Sequence, residues 1–169
     1  MKIAITGPES TGKTNLAETL TKHYNSVYIP EYAREYLVEV ANKYSYDDVS
    51  IIGKRQLEME KEAENGDTKL IICDTDLLVI KVWMLYVFGK NETWIDDYLM
   101  TKPYKLHLLC SPDIPWEYDP LRENPESREI LFKIYLSVLN DYQLPYRIIT
   151  GDGIARINNA IDIIDEIIK

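Results

Sequence analysis

The chain has 169 residues, a length that suits one compact domain, and 46% of them are hydrophobic, which excludes a disordered chain. Its 28 acidic and 19 basic residues leave a net charge of -9, and a surface of that sign repels phosphate backbones, so no nucleic-acid partner is expected. No apolar run reaches the ~18 residues of a membrane span, and no signal-peptide pattern precedes the first strand-like run, so a cytoplasmic protein without a membrane partner is expected.

The first apolar run, Lys2 to Thr6, is a candidate strand, and Lys13 to Tyr24 a candidate helix. Between them lies Gly7-Pro8-Glu9-Ser10-Thr11-Gly12-Lys13-Thr14, a full GxxxxGK[ST] phosphate-binding loop in the strand-to-helix setting that such a loop requires. Gly7 and Gly12 permit the tight turn and let backbone N–H groups point inward. The helix N-terminus adds partial positive charge beneath the phosphates. Lys13 reaches the terminal phosphates, and the Thr14 hydroxyl offers a ligand to Mg²⁺.

A second strand, Ser26 to Pro30, leads into a helix from Glu31 to Lys43. Its opening, Glu31-Tyr32-Ala33-Arg34-Glu35-Tyr36, starts at the sheet edge where doubly wound sheets bind ligands. Glu31 there is either a base for a substrate hydroxyl or a first-turn helix charge. Arg34 and Tyr36 either orient an acceptor or serve the helix, since Tyr32 and Tyr36 share one face and suit a core. A helix from Tyr46 to Asn65 and a strand from Lys69 to Asp74 follow.

Asp74 ends an apolar strand, where the second Mg²⁺ contact of a phosphate-loop protein sits. Asp76 either shares that cleft or caps the helix from Leu77 to Phe88. Thr75 stands where an ATP-driven motor carries a water-activating glutamate, and Asn42-Lys43 lacks the aspartate of a guanine-reading motif. Both absences favour a phosphotransferase over a motor or a GTP switch. Trp83 is either core or a stacking surface.

A helix from Glu92 to Thr101 and a strand from Lys105 to Cys110 come next. Cys73 and Cys110 each end an apolar run without metal-ligand spacing, so both are expected reduced and buried. His23 and His107 have no partner pattern. Ser111 to Pro125 then holds Pro112, Pro115, Pro120 and Pro125 and cannot be a continuous helix or a central strand. Long irregular excursions of this kind are often lids. Arg122 and Arg128, six residues apart, would close over a triphosphate or form surface ion pairs, and Trp116 lies on the same excursion. The chain ends with a helix from Pro125 to Tyr142, a strand from Tyr146 to Thr150 and a helix from Gly153 to Lys169. Strands alternating with helices imply an α/β fold whose parallel sheet is covered on both faces.

Four blocks taken together resemble the ribosylnicotinamide kinase domain of NadR-type proteins, in the P-loop group related to nucleoside and nucleotide kinases. They are Gly7 to Thr14, Glu31-Tyr32-Ala33-Arg34-Glu35-Tyr36-Leu37, Ile72-Cys73-Asp74-Thr75-Asp76-Leu77, and Trp116 to Pro125. The resemblance implies a P-loop NTPase fold, a three-layer α/β/α sandwich with a five-stranded parallel sheet. It implies a single kinase domain over 1–169 with a lid at about 111–128. The implied reaction moves the γ-phosphate of ATP to the 5′-hydroxyl of nicotinamide riboside, giving the mononucleotide. Carried over by position, Gly7, Pro8, Glu9, Ser10, Thr11, Gly12, Lys13 and Thr14 hold the nucleotide, and Thr14 and Asp74 hold Mg²⁺, Asp74 through water. Glu31, Tyr32, Arg34, Asp76 and Trp116 fall to the acceptor, and Arg122 and Arg128 to the lid. Related kinases place the base at the end of the second or the third strand, which makes Glu31 and Asp74 rivals, with Asp76 behind them. Pro120 stands where the family's lid often has glycine, which stiffens the loop. Two other readings fit the motifs: a regulatory P-loop ATPase, and a kinase for another nucleoside or a nucleotide.

Overall fold

The computed structural model describes residues 1–66, 69–123 and 126–168. Asn124 and Pro125, inside the expected lid and at the expected start of a helix, lie outside the described residues, as does Lys169, the expected end of the last helix.

Five strands form one all-parallel sheet: β1 (Lys2–Thr6), β2 (Val27–Ile29), β3 (Ile71–Asp74), β4 (Leu106–Cys110) and β5 (Tyr146–Ile149), in the order β2-β3-β1-β4-β5. β1 is central because it is buried on both faces, with all five residues inaccessible. Ile3 and Ile5 pack with Leu16, Leu20, Ala160 and Ile164 of the helices α1 (Lys13–Tyr24) and α7 (Gly153–Ile168). Ala4, on the other face, packs with Ile71, Cys73 and Tyr104. That second face is covered by α2 (Tyr32–Glu39), α3 (Tyr46–Glu64), α4 (Leu77–Phe88), α5 (Thr93–Met100) and α6 (Arg128–Asp141). The result is the expected three-layer sandwich. Both cysteines are buried and free. Among the described residues, no helix is long and apolar enough to cross a membrane.

Local sequence explains most boundaries. Ser45 caps α3 in a reciprocal capping box with Asp48. Asp76 caps α4, and Gly89 ends it in the left-handed region. Helix α2 stops at Glu39 rather than Lys43, because Ala41 and Asn42 turn left-handed (φ 50° and 55°) and the Asn42 N–H reaches back to Leu37 O at 2.8 Å. α6 begins at Arg128, after the excursion rather than within it.

The strand order reverses at β1, so a crevice opens at the C-terminal sheet edge. The β1–α1 loop lies at its centre. The ends of β2 and β3 flank it on one side, and those of β4 and β5 on the other.

Candidate active site

Residues 7–12 form the floor of a cavity of about 710 Å³. Gly7 has φ 130°, and a Cβ there would lie 2.8 Å from Cys110 O at the end of β4, so only glycine fits without a shift. Gly12, at φ 74°, starts α1 in the left-handed region. Thr11 Oγ1 donates to Pro8 O at 2.8 Å, and Lys13 Nζ donates to the same carbonyl at 2.8 Å. The lysine thus lies folded over the loop, its ammonium at the place where a polyanion would enter.

On the β2–β3 side stand two carboxylates. Asp74 ends β3 in register with Ile5 and is 1% exposed. Its Oδ2 accepts from the Tyr28 hydroxyl at 3.2 Å, and its Oδ1 has no hydrogen-bond partner. Burial pushes its pKa up, opposed by the neighbouring Thr14 hydroxyl and by the positive charge of Lys13. The Thr14 hydroxyl favours the ionised form of the carboxylate. Glu31 precedes α2 with its side chain 23% exposed and 3.5 Å from Arg34 Nε. Desolvation raises its pKa, Lys13 pulls it down, and the Asp74 charge raises it again. Lys13, Thr14, Glu31 and Arg34 all line the cavity.

Asp76, considered for the acceptor, is fully buried instead. Its Oδ1 accepts from Val79 N at 3.1 Å and from Thr6 Oγ1 at 3.3 Å, and its Oδ2 lies 3.2 Å from His107 Nε2. The structure therefore gives Asp76 to the cap of α4 and gives His107, whose sequence context offered no partner, a buried one. Tyr32 is turned into the core, its N–H donating to Gln56 Oε1 at 3.0 Å, and the Tyr36 hydroxyl donates to Asp48 at 2.6 Å. Neither tyrosine lines the cavity. Trp83 does, edge-on to Tyr44 with ring centroids 4.9 Å apart.

The excursion after β4 lies across the loop. Glu117 N–H donates to Ser10 Oγ at 2.9 Å, and Glu123 N–H to Glu9 Oε2 at 3.0 Å. Arg34 Nη2 meets Asp119 Oδ2 at 2.6 Å, while Asn42 and Tyr44 both donate to the Glu123 carboxylate, at 3.1 and 2.8 Å. Arg122 lines the cavity, with Nη1 donating to Glu117 O and lying 3.4 Å from Ser10 Oγ. Arg128 Nη1 is held by Ser10 O at 3.1 Å and Ile114 O at 2.9 Å, which ties the root of α6 to the phosphate loop. Trp116 sits beside both guanidinium groups, with centroid distances of 6.0 and 5.8 Å, and not on the cavity wall.

Sequence reasoning passed over Tyr28 and Arg156. Arg156 occupies a buried position of α7 with Ala160 and Ile164, one face at i, i+4 and i+8. A charged residue on that apolar stripe is the signal that marked it. Tyr28 carried none, since an aromatic in a strand is ordinary.

A phosphate loop, an acid at the neighbouring strand end and a parallel sheet ordered β2-β3-β1-β4-β5 define a P-loop nucleotide-binding protein of the α/β class. The chain belongs to the AAA_28 family of AAA domains, whose model matches residues 2–156. It is 26% identical over 127 residues to the trifunctional NAD biosynthesis/regulator protein NadR of Salmonella typhimurium and, equally, to that of Escherichia coli K12. Each match takes in 71% of this chain and 30% of the relative. Solved structures of NadR proteins superpose over 98% of this chain: one in complex with NR (TM-score 0.84, 23% identical) and one with NAD and AMP-PNP (TM-score 0.83, 25% identical). The chain spans about half of those proteins, at 50% and 48%. A deoxyadenosine kinase of M. mycoides shares the fold at TM-score 0.63 and 16% identity.

Proposed function

We propose that the chain is an ATP-dependent kinase of a nucleoside, with nicotinamide riboside as acceptor and the mononucleotide as product. In this reading residues 1–169 work as one P-loop kinase unit with a lid at about 111–128. The observation that carries it is Asp74 Oδ1, a buried carboxylate oxygen left without a partner beside Thr14 and Lys13. The likeness to NadR, including a NadR structure in complex with NR, supports the acceptor.

The donor set fits Mg²⁺, which takes few protein ligands and keeps its waters. Thr14 would contribute its hydroxyl and Asp74 its free oxygen, through water. When bound, the ion would neutralise charge on the transferring phosphate. Lys13 would swing from Pro8 O to the terminal phosphates. Glu31, lifted in pKa by desolvation, would accept the proton of the acceptor hydroxyl. Arg34 would hold Glu31 and the Asp119 segment of the lid in place. Arg122 would face the phosphates from the lid. Tyr44 and Trp83 would line the acceptor's ring. Tyr32, Asp76 and Trp116 would support this wall from behind rather than touch the acceptor.

The test is phosphoryl transfer from labelled ATP to nicotinamide riboside, with common nucleosides as parallel acceptors. Acceptor-dependent product, greatest with nicotinamide riboside, is expected. Turnover no higher than that of Lys13→Ala with every acceptor would overturn the reading.

A further inference from the structure

Opposite the two carboxylates, beyond the phosphate loop, the cavity is walled by Asp152, Gly153, Arg156 and Ile157. No step described above uses this wall. In-line transfer puts the acceptor on the far side of the γ-phosphate from the leaving diphosphate. If the acceptor lies toward Glu31 and Asp74, the nucleoside part of the donor leaves the loop toward β4 and β5.

The wall there depends on one guanidinium. Arg156 is 4% exposed, and all three of its nitrogens are engaged. Nε donates to Gly151 O at 2.7 Å, Nη1 to Thr11 O at 3.1 Å and Nη2 to Ser111 O at 3.1 Å, and Nη2 also pairs with the Asp113 carboxylate. Asp113 Oδ2 in turn accepts from Gly151 N–H at 2.8 Å. Gly151 is therefore gripped at both its N–H and its carbonyl. It needs that grip: Gly151 and Gly153 both lie in the left-handed region, at φ 83° and 47°, where a glycine-rich segment has most freedom to lose. The same guanidinium reaches the phosphate loop at Thr11, the end of β4 at Ser111, and the root of the lid at Asp113.

We propose that Arg156 and Asp113 are positioning residues for the phosphate donor, fixing the 151–153 segment as the wall against its base and ribose. This rests on the kinase reading for the direction in which the donor lies. Asp113, whose contacts are with Gly151 and Arg156, governs donor affinity through the nucleoside part, not the polyphosphate and not the acceptor, while Arg156 also holds Thr11 of the phosphate loop.

The experiment compares binding of Mg-AMP-PNP with that of Mg-tripolyphosphate, which has no base or ribose, by calorimetry. Asp113 is the better first target, because its side chain is 34% exposed whereas that of Arg156 is 5% exposed. Asp113→Ala is expected to weaken Mg-AMP-PNP about tenfold and Mg-tripolyphosphate less than twofold, with KM for the acceptor unchanged. Asp113→Asn, which still accepts one hydrogen bond, is expected to recover most of the loss. Equal weakening of both ligands, or no weakening of either, would overturn the proposal. Failure of wild-type protein to bind Mg-AMP-PNP at all would instead strike the kinase reading itself.

Discussion

Two acidic clusters sit at opposite ends of the same sheet and are finished in opposite ways. At the starting edge, Glu60 of α3 is completely buried, and the Tyr104 hydroxyl donates its one proton to the carboxylate from 2.9 Å off each oxygen. Lys2, the first residue of β1, completes it at 2.8 Å and reaches Glu64 at 2.7 Å. At the finishing edge, Asp74 is as deeply placed, yet one oxygen has no partner. Burial raises the pKa of both acids, Glu60 to about 7. Lys2 holds its proton all the more firmly: desolvation works against the charge, and the Glu60 carboxylate outweighs it. A saturated cluster is cement between helix and strand. An unsaturated one costs stability that a bound ligand recovers.

The largest expected effects break the unsaturated cluster. Asp74→Asn should lower the single-turnover rate of phosphoryl transfer about 10³-fold, the scale of losing one preorganised electrostatic group. The same variant should melt at a higher temperature than wild type, because it removes a buried charge with incomplete compensation. An active Asp74→Asn enzyme would show that the open oxygen has no part in the chemistry. The saturated cluster predicts the reverse. Glu60→Gln leaves the Lys2 ammonium without its buried counter-charge and should cost about 3 kcal/mol in urea unfolding. The kcat of the protein that remains folded should stay near wild type. If Glu60→Gln impaired kcat and spared stability, the two ends would not differ as their hydrogen bonding indicates.

How far the sequence reveals this contrast depends on the range of the interaction. β1, α1 and α4 have the boundaries expected for Lys2–Thr6, Lys13–Tyr24 and Leu77–Phe88, because local chemistry punctuates them: two glycines of the phosphate loop, the Asp76 cap, Gly89. α2 ends early at an alanine with φ 50°, a conformation that alanine does not advertise. The phosphate loop and Asp74 are visible because their function imposes a pattern within a few residues. Tyr28 and Asp74 are 46 positions apart, Tyr44 and Glu123 79, and Arg156 and Thr11 145, so nothing in local spacing announces them. Lys2 and Glu60 are legible only as charges on otherwise ordinary elements, and the packing of α3 across the sheet makes them a pair.

Acidity provides a smaller and more graded test. Asp74 titrates above the ordinary carboxyl value of 3.8 in the folded chain. The protonated acid therefore favours folding. That contribution is fully present below the unfolded value and is lost as pH rises through the folded one. Asn at 74 does not titrate, so the difference in melting temperature between Asp74→Asn and wild type should be smallest in acid. It should widen as pH rises and level off once the folded carboxyl has ionised. A difference that stayed constant with pH would mean that Asp74 is not strained by its burial, and the contrast with Glu60 would weaken.

The smallest expected effect isolates orientation from charge. Among the described residues, the Tyr28 hydroxyl makes the one well-formed hydrogen bond to the Asp74 carboxylate. That bond holds Oδ2 and so fixes the orientation of the free Oδ1. Tyr28→Phe keeps the ring and its packing beside β3 and removes only the donor, so stability should change by about 1 kcal/mol. The carboxylate would keep its charge but be free to rotate, so the cost should fall on kcat, about tenfold, with KM for ATP near its wild-type value. This split separates the two accounts of the site. If Asp74 acts merely as a negative point in the field, losing its orientation leaves kcat alone. If its free oxygen must be aimed, kcat falls while donor binding, carried by the phosphate loop, persists.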